Sequence, residues 1–212
     1  MTGKLITFEG LDGSGKTTVM QQVVQDLIPR LGAQLVTTRE PGGDQLAEQI
    51  RSFIFDHNNA LDPRSMALLF AAARRQHLTR RILPALHNNQ LILCDRYLDS
   101  SLAYQGGGQQ LGIENILEMN QFATEGVLPT LTFYLKLPVA VALERIQTRE
   151  TKQQNQLDQQ QRDFYVRVQT AYDKIAANNP QRMVVIDATQ PVAVVTQKVL
   201  AVISQQFASY FL

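Results

Sequence analysis

The chain has 212 residues, 44% of them hydrophobic and 18% charged. That is enough apolar material for a packed core, and it excludes a disordered protein. Twenty Lys and Arg against nineteen Asp and Glu leave a net charge of +1, too even a balance for a protein that neutralises many nucleic-acid phosphates.

The single cysteine, Cys94, permits no internal disulfide and reads as a small buried hydrophobe. The start of the chain lacks a signal-peptide pattern, and no run approaches the ~18 apolar residues of a membrane span. The expectation is a cytoplasmic protein with no membrane partner and no extended nucleic-acid partner.

Leu5-Ile6-Thr7-Phe8 reads as a buried strand, closed by glycines at 10, 13 and 15, and a helix follows over about 16–30. Leu35-Val36-Thr37 is a second strand, closed by Pro41-Gly42-Gly43. Leu46, Ile50, Phe53 and Ile54 fall at helical spacing. Asp62-Pro63 has the form of an N-cap with proline in the first helical position. The helix it opens runs through Met66, Leu69, Phe70 and Ala73 and is expected to bend or end near Pro84.

Leu91 to Cys94 is a third strand, ending at Asp95, and residues 113–124 form a helix. A strand over 131–135 and a helix over 139–149 follow. Next come a glutamine-rich stretch, 153–161, a helix over 164–177 and a strand over 183–186. The last helix, 191–207, carries Val195, Val199, Val202 and Phe207 on or near one face. Apolar strands alternating with helices predict an α/β fold: a five-stranded parallel sheet flanked by helices on both faces. With no repeat and no linker, residues 1–212 read as one domain. The glutamine-rich stretch reads either as a solvated connection or as a lid over a site.

Gly10-Leu11-Asp12-Gly13-Ser14-Gly15-Lys16-Thr17 matches G-x-x-x-x-G-K-[ST]. Such a loop wraps its backbone N–H groups around phosphate oxygens, and the helix after it turns its positive end toward the anion. Lys16 can reach the terminal phosphates and Thr17 can hold Mg²⁺. The pattern here follows an apolar strand and opens a helix, the context that makes it a nucleotide site. Asp95 at a strand end suits Mg²⁺ and its water, or else caps a turn. Arg96 points to the same sheet edge. Its bland alternative is an ion pair with Asp95 or Asp99. Arg75, Arg80 and Arg81 read as a solvated face, and His57, His77 and His87 receive no role.

Two classes remain: a small kinase acting on a metabolite, and a nucleotide switch or ATPase module. No N-K-x-D guanine-reading motif is present. Thr38-Arg39-Glu40-Pro41-Gly42-Gly43, Phe70-Ala71-Ala72-Ala73-Arg74 and the run from Asp95-Arg96-Tyr97 to Tyr104-Gln105-Gly106 add three motifs in order. With the phosphate loop, and through Asp187-Ala188-Thr189-Gln190-Pro191, the whole chain resembles bacterial thymidylate kinases.

That resemblance implies a P-loop NTPase fold, transfer of a phosphoryl group from ATP to dTMP with Mg²⁺, and a homodimer. It implies that Lys16, Asp95, Arg96 and Arg149 serve catalysis, and that Thr17 and Asp95 serve the metal. Gly10, Leu11, Asp12, Gly13, Ser14, Gly15, Lys16, Thr17, Thr18 and Arg145 would hold ATP. Asp12 would meet the sugar 3′-hydroxyl of dTMP, Arg51 its phosphate, Phe70 and Arg74 its base. Glu40, Pro41, Arg96, Ser101 and Gln105 would complete that pocket, and Tyr104 would crowd a 2′-hydroxyl. Without the resemblance, Phe70 reads first as core. The runners-up are a kinase for another monophosphate, such as dUMP, and a binding module that has lost transfer.

One departure concerns the lid, about 149–161. In the family, an arginine at the position of Gly13 assists transfer; where that position is small, the lid usually supplies one. Here Gln156 stands where a basic residue is expected, leaving Arg149 and Lys152. Arg149→Ala is expected to lower kcat about ten-fold or more, read by steady-state kinetics.

Overall fold

The computed structural model describes residues 2–56, 58–149 and 159–211, with the backbone alone at Arg149, Gln159 and Gln160. Five strands form one parallel sheet: β1 (Lys4–Glu9), β2 (Leu35–Arg39), β3 (Leu91–Asp95), β4 (Leu131–Lys136) and β5 (Met183–Asp187). The spatial order is β2-β3-β1-β4-β5. β1 is therefore central, and the loop that leaves it opens at the carboxyl edge of the sheet, where ligands bind in such folds. The register sets Phe8 beside Asp95, and Asp95 beside Arg39, so three chain segments reach that edge together.

The central strands are apolar because both their faces are covered; Leu5, Ile6, Phe8, Leu91 to Cys94, and Phe133 are all buried. The edges depart from the uniform apolar pattern. β2 leaves Thr37 and Arg39 exposed, and β5 leaves Val185 about half exposed. An edge strand has only one neighbour and less cover.

Helix α1 (Lys16–Leu31) packs against α9 (Val192–Gln206). Helix α2 (Gln45–Ile54) starts at Asp44, whose carboxylate accepts the Leu46 N–H. Helix α3 (Pro63–His77) is capped by Asp62, which accepts from Arg64 and Ser65, and it packs on α2 and α6 (Ile113–Thr124). It does not end before Pro84. Residues Leu78–Ile82 widen into π-type turns, and α4 (Leu83–His87) carries on, with Pro84 in its first turn. The wider turn spares the proline a clash and absorbs its missing N–H.

A second π-type segment, Leu102–Gly108, continues α5 (Leu98–Ser101) and was not expected from the sequence. Three successive glycines, 106 to 108, favour helix poorly, and the segment packs against α8 (Gln159–Asn178) and α6. Helix α7 (Val139–Arg149) follows β4.

No helix among the described residues is long and apolar enough to cross a membrane. Phe133 is fully buried, with its ring centroid 5.5 Å from that of Phe8. Phe133→Ala is expected to cost about 3–5 kcal/mol, measured by urea unfolding.

Candidate active site

The loop after β1 is shaped for an anion. Lys16 opens α1 and turns its Nζ back onto the Leu11 carbonyl at 2.9 Å. Burial and the nearby Arg96 push its ammonium down to about 7. Ser14 Oγ is buried and has no hydrogen-bond partner among the described residues. Gly13 sits at φ +80, and a Cβ there would lie 2.7 Å from the Ala142 carbonyl of α7. The loop therefore packs directly against that helix, and Arg145 donates to the Gly13 carbonyl at 3.3 Å. Thr17 Oγ1 donates to Asp95 Oδ2 at 2.5 Å. Gly13, Gly15, Lys16, Thr17 and Asp95 wall a cleft of about 420 Å³, which also takes in Thr18, Arg39 and Ile146.

A second cleft of about 410 Å³ lies beside it, between α2, α3 and the π-type segment. Phe70 and Phe55 meet edge to face on one wall, with Tyr104, Gln105 and Phe164 on others. Phe70 stands outside the main core cluster, so the structure sets aside its core reading. Arg51 donates to the Pro41 carbonyl at 3.2 Å, with its guanidinium 5.0 Å from the Phe55 ring.

Arg74 is 3% exposed. It donates from Nε to Glu40 Oε2 at 2.7 Å, to Asn120 Oδ1, to the Tyr97 carbonyl at 3.2 Å and to Ser101 Oγ at 2.9 Å. Four of the roughly five N–H groups of a guanidinium are thus matched within the described residues, which leaves one for a ligand in the cleft.

Asp12, Glu40, Arg51 and Arg96 belong to both clefts. Arg96 is the junction. Its pair is neither Asp95 nor Asp99: it meets Asp12 Oδ1 at 2.6 Å, and Asp99 is taken by Arg182 at 2.7 Å. Arg96 also donates to the Gly10 carbonyl and Ser100 Oγ. Its backbone turns at φ 70, a conformation that costs an L-residue about 1–2 kcal/mol. Partial burial pushes the Asp12 carboxyl up, but Arg96 and Lys16 outweigh it and hold the group below the usual range. Tyr104 accepts the Asp12 N–H and donates to Asp12 Oδ2, both at 3.0 Å.

A sequence model of thymidylate kinases matches residues 8–199. The chain is 49% identical over 211 residues to the thymidylate kinase of Lactiplantibacillus plantarum, covering 99% of this chain and 96% of that one. It is 50% identical over 206 residues to the thymidylate kinase of Pediococcus pentosaceus, covering 97% and 99%. The chain belongs to the thymidylate kinase family. A crystal structure of the thymidylate kinase from Ehrlichia chaffeensis superposes with a TM-score of 0.77 at 33% identity, covering 96% of this chain and 99% of that one.

In this member of the thymidylate kinase family, the structure brings most of the expected residues to the two clefts. Gly10, Leu11, Ser14 and Arg145 stand off the cleft walls, Arg145 reaching the Gly13 carbonyl, and the Leu11 side chain is core. Residues 150–158, with Lys152 and Gln156, and the Arg149 side chain lie outside the described residues, so the lid expectation finds only its ends here. Among the described residues no three His, Cys, Asp or Glu cluster as a metal site; the Thr17–Asp95 corner offers a hydroxyl and one carboxylate. Cys94 is buried, which pushes its thiol well up. Arg80 and Arg81 are exposed as expected, but Arg75 is half-buried and pairs with Glu125.

The sequence reading missed His77, Phe55, Phe164 and Glu9, all at or beside the clefts. Glu9 ends β1 with no exposure. It accepts from the Tyr97 N–H at 2.7 Å, Ser100 Oγ at 2.5 Å and Tyr172 OH at 2.8 Å. Its place directly before Gly10, at the end of an apolar strand, was the available signal. Burial first, then Asp99, raise its carboxyl to about 7 from 4.5. The folded chain keeps this proton between about pH 4.5 and 7, where the unfolded chain has released it. Stability is therefore expected to fall as pH rises through that window. Glu9→Gln should flatten that dependence, measured by urea unfolding across the window.

Proposed function

We propose that this chain transfers the γ-phosphoryl group of ATP to dTMP, giving ADP and dTDP. The observation that carries the reading is the pair of clefts that meet at Asp12, Glu40, Arg51 and Arg96. A donor and an acceptor phosphate meeting there would be aligned for direct transfer. A monophosphate is mostly ionised at neutral pH, so its oxygen attacks without a general base. Catalysis then rests on alignment and on neutralising charge.

Within this reading, the N-terminus of α1 and the loop N–H groups hold the donor phosphates. Lys16 leaves the Leu11 carbonyl for the transferring group. Arg96 bridges donor and acceptor, its fork suited to two phosphate oxygens. Asp12, held by Arg96 and Tyr104, is free to accept from a sugar hydroxyl. Arg51 meets the acceptor phosphate. Phe70 stacks on the base and Arg74 offers it the remaining N–H.

The donor set at the Thr17–Asp95 corner is all oxygen, which suits Mg²⁺ with water and phosphate filling its other positions. Mg²⁺ held there would neutralise charge on the phosphate oxygens. The Ser14 hydroxyl, buried without a partner among the described residues, supports the same reading of the loop. Leu68 on α3 and Phe122 on α6 are 59% and 90% exposed, apolar surface that supports a homodimer through these two helices.

The test is ADP release with ATP, Mg²⁺ and a panel of dTMP, dUMP, dCMP, dGMP, AMP, UMP and GMP. Strong turnover with dTMP, weaker with dUMP and negligible with ribonucleotides is expected. ATP binding without turnover of any acceptor would sink the kinase reading.

A further inference from the structure

His77 has no role in phosphoryl transfer as described so far, yet it is fully buried at the point where α3 widens into the π-type turns. Its two ring nitrogens are both engaged. Nδ1 lies 2.9 Å from Glu40 Oε1, and Nε2 lies 2.6 Å from Thr38 Oγ1. The other Glu40 oxygen accepts from Arg74 Nε at 2.7 Å. A carboxylate paired with a guanidinium is an acceptor only, so Nδ1 carries the hydrogen it donates to Glu40. Nε2 shares its own hydrogen bond with the Thr38 hydroxyl.

The result is a chain of hydrogen bonds from the edge strand β2 through His77 and Glu40 to Arg74. Gly43, at φ +86, closes over it: a Cβ there would stand 2.5 Å from both the imidazole and Thr38 Oγ1. Glu40 and Arg74 line the acceptor cleft, whereas His77 and Thr38 do not. The imidazole therefore acts on the cleft only through Glu40.

We infer that His77 is a positioning residue for the acceptor site: it holds the Glu40 carboxylate against Arg74 and so fixes the guanidinium that faces dTMP. The inference rests on the proposed dTMP kinase activity. A guanidinium has a long, rotatable stem, and a carboxylate bound at one oxygen still pivots. Anchoring the second oxygen to a ring fixed on the sheet removes that pivot. Preorganisation of this kind affects binding of the group that Arg74 meets, and leaves the ATP side untouched.

Two substitutions separate this role from plain packing. In His77→Asn the side-chain amide nitrogen replaces Nδ1 and keeps the bond to Glu40. In His77→Gln the amide replaces Nε2 and keeps the bond to Thr38 instead. Steady-state kinetics of the full chain, with dTMP and ATP varied in turn, is the measurement. His77→Gln is expected to raise the dTMP KM about ten-fold or more, with ATP KM and kcat within about three-fold. His77→Asn should recover most of the lost dTMP affinity.

Equal dTMP KM values for the two variants, or a parallel rise in dTMP and ATP KM, would overturn the inference. If neither variant folds, Thr38→Val decides. It removes the hydroxyl behind the imidazole at nearly constant shape and should raise the dTMP KM about three-fold. An unchanged KM there overturns it too. A parent chain with no dTMP turnover would overturn this inference together with the activity on which it rests.

Discussion

The ion pair between Asp12 and Arg96 is the contact on which the site depends. It joins the loop leaving the central strand to the end of its neighbour, residues 84 positions apart, at 2.6 Å. The parallel register of β1 and β3 brings the two segments to one edge, and Arg96 takes a left-handed backbone conformation to make the contact. Tyr104 ties the same aspartate to the second cleft. Loop, strand end and acceptor pocket thus share one small electrostatic junction. Asp12 is about half exposed, so the pair adds little to folding stability; its value is geometric. In the proposed reaction, a phosphate entering here would compete with the carboxylate for a guanidinium already in place.

Around this junction the chain buries polar groups in number. Glu9, Ser100 and Tyr172 form one network beneath Arg96, and Thr38, His77, Glu40, Arg74, Asn120 and Ser101 form another beneath the acceptor pocket. Buried polar groups are costly unless each finds a partner, and satisfied networks then hold side chains in one arrangement. Ser100, Glu40, Arg74 and Ser101 line the second cleft themselves, and Glu9, Tyr172, Thr38, His77 and Asn120 stand behind them. The networks convert the rigidity of the sheet into fixed positions for two guanidiniums, whose long stems would otherwise sample many rotamers.

The sheet and the phosphate loop were legible in the sequence because their signals are local. An apolar run followed by G-x-x-x-x-G-K-T needs no tertiary information, and Asp62-Pro63 marks a helix start unaided. Phe70 and Arg74 were legible as a pair only through the resemblance to thymidylate kinases, since an aromatic on an apolar helix reads as core. The resemblance put Glu40 and Ser101 in the same pocket as Arg74, but not their bonds to it, and Asn120 was not legible; the three come from three other segments. Phe164 escaped for a related reason. It lies in the second turn of α8, close after a polar, glutamine-rich stretch, and nothing nearby in sequence points to the cleft it walls. The π-type segment 102–108 hid behind its glycines, which favour helix poorly.

The tight approach of Gly13 to α7 bears on how such an enzyme changes over evolutionary time. A single codon change to arginine at this position would meet the Ala142 carbonyl and an unfavourable backbone angle together. The helix would have to retreat before the loop could carry a side chain, so the first step on that path is uphill. Descendants of this sequence are therefore channelled toward solving charge neutralisation outside the loop.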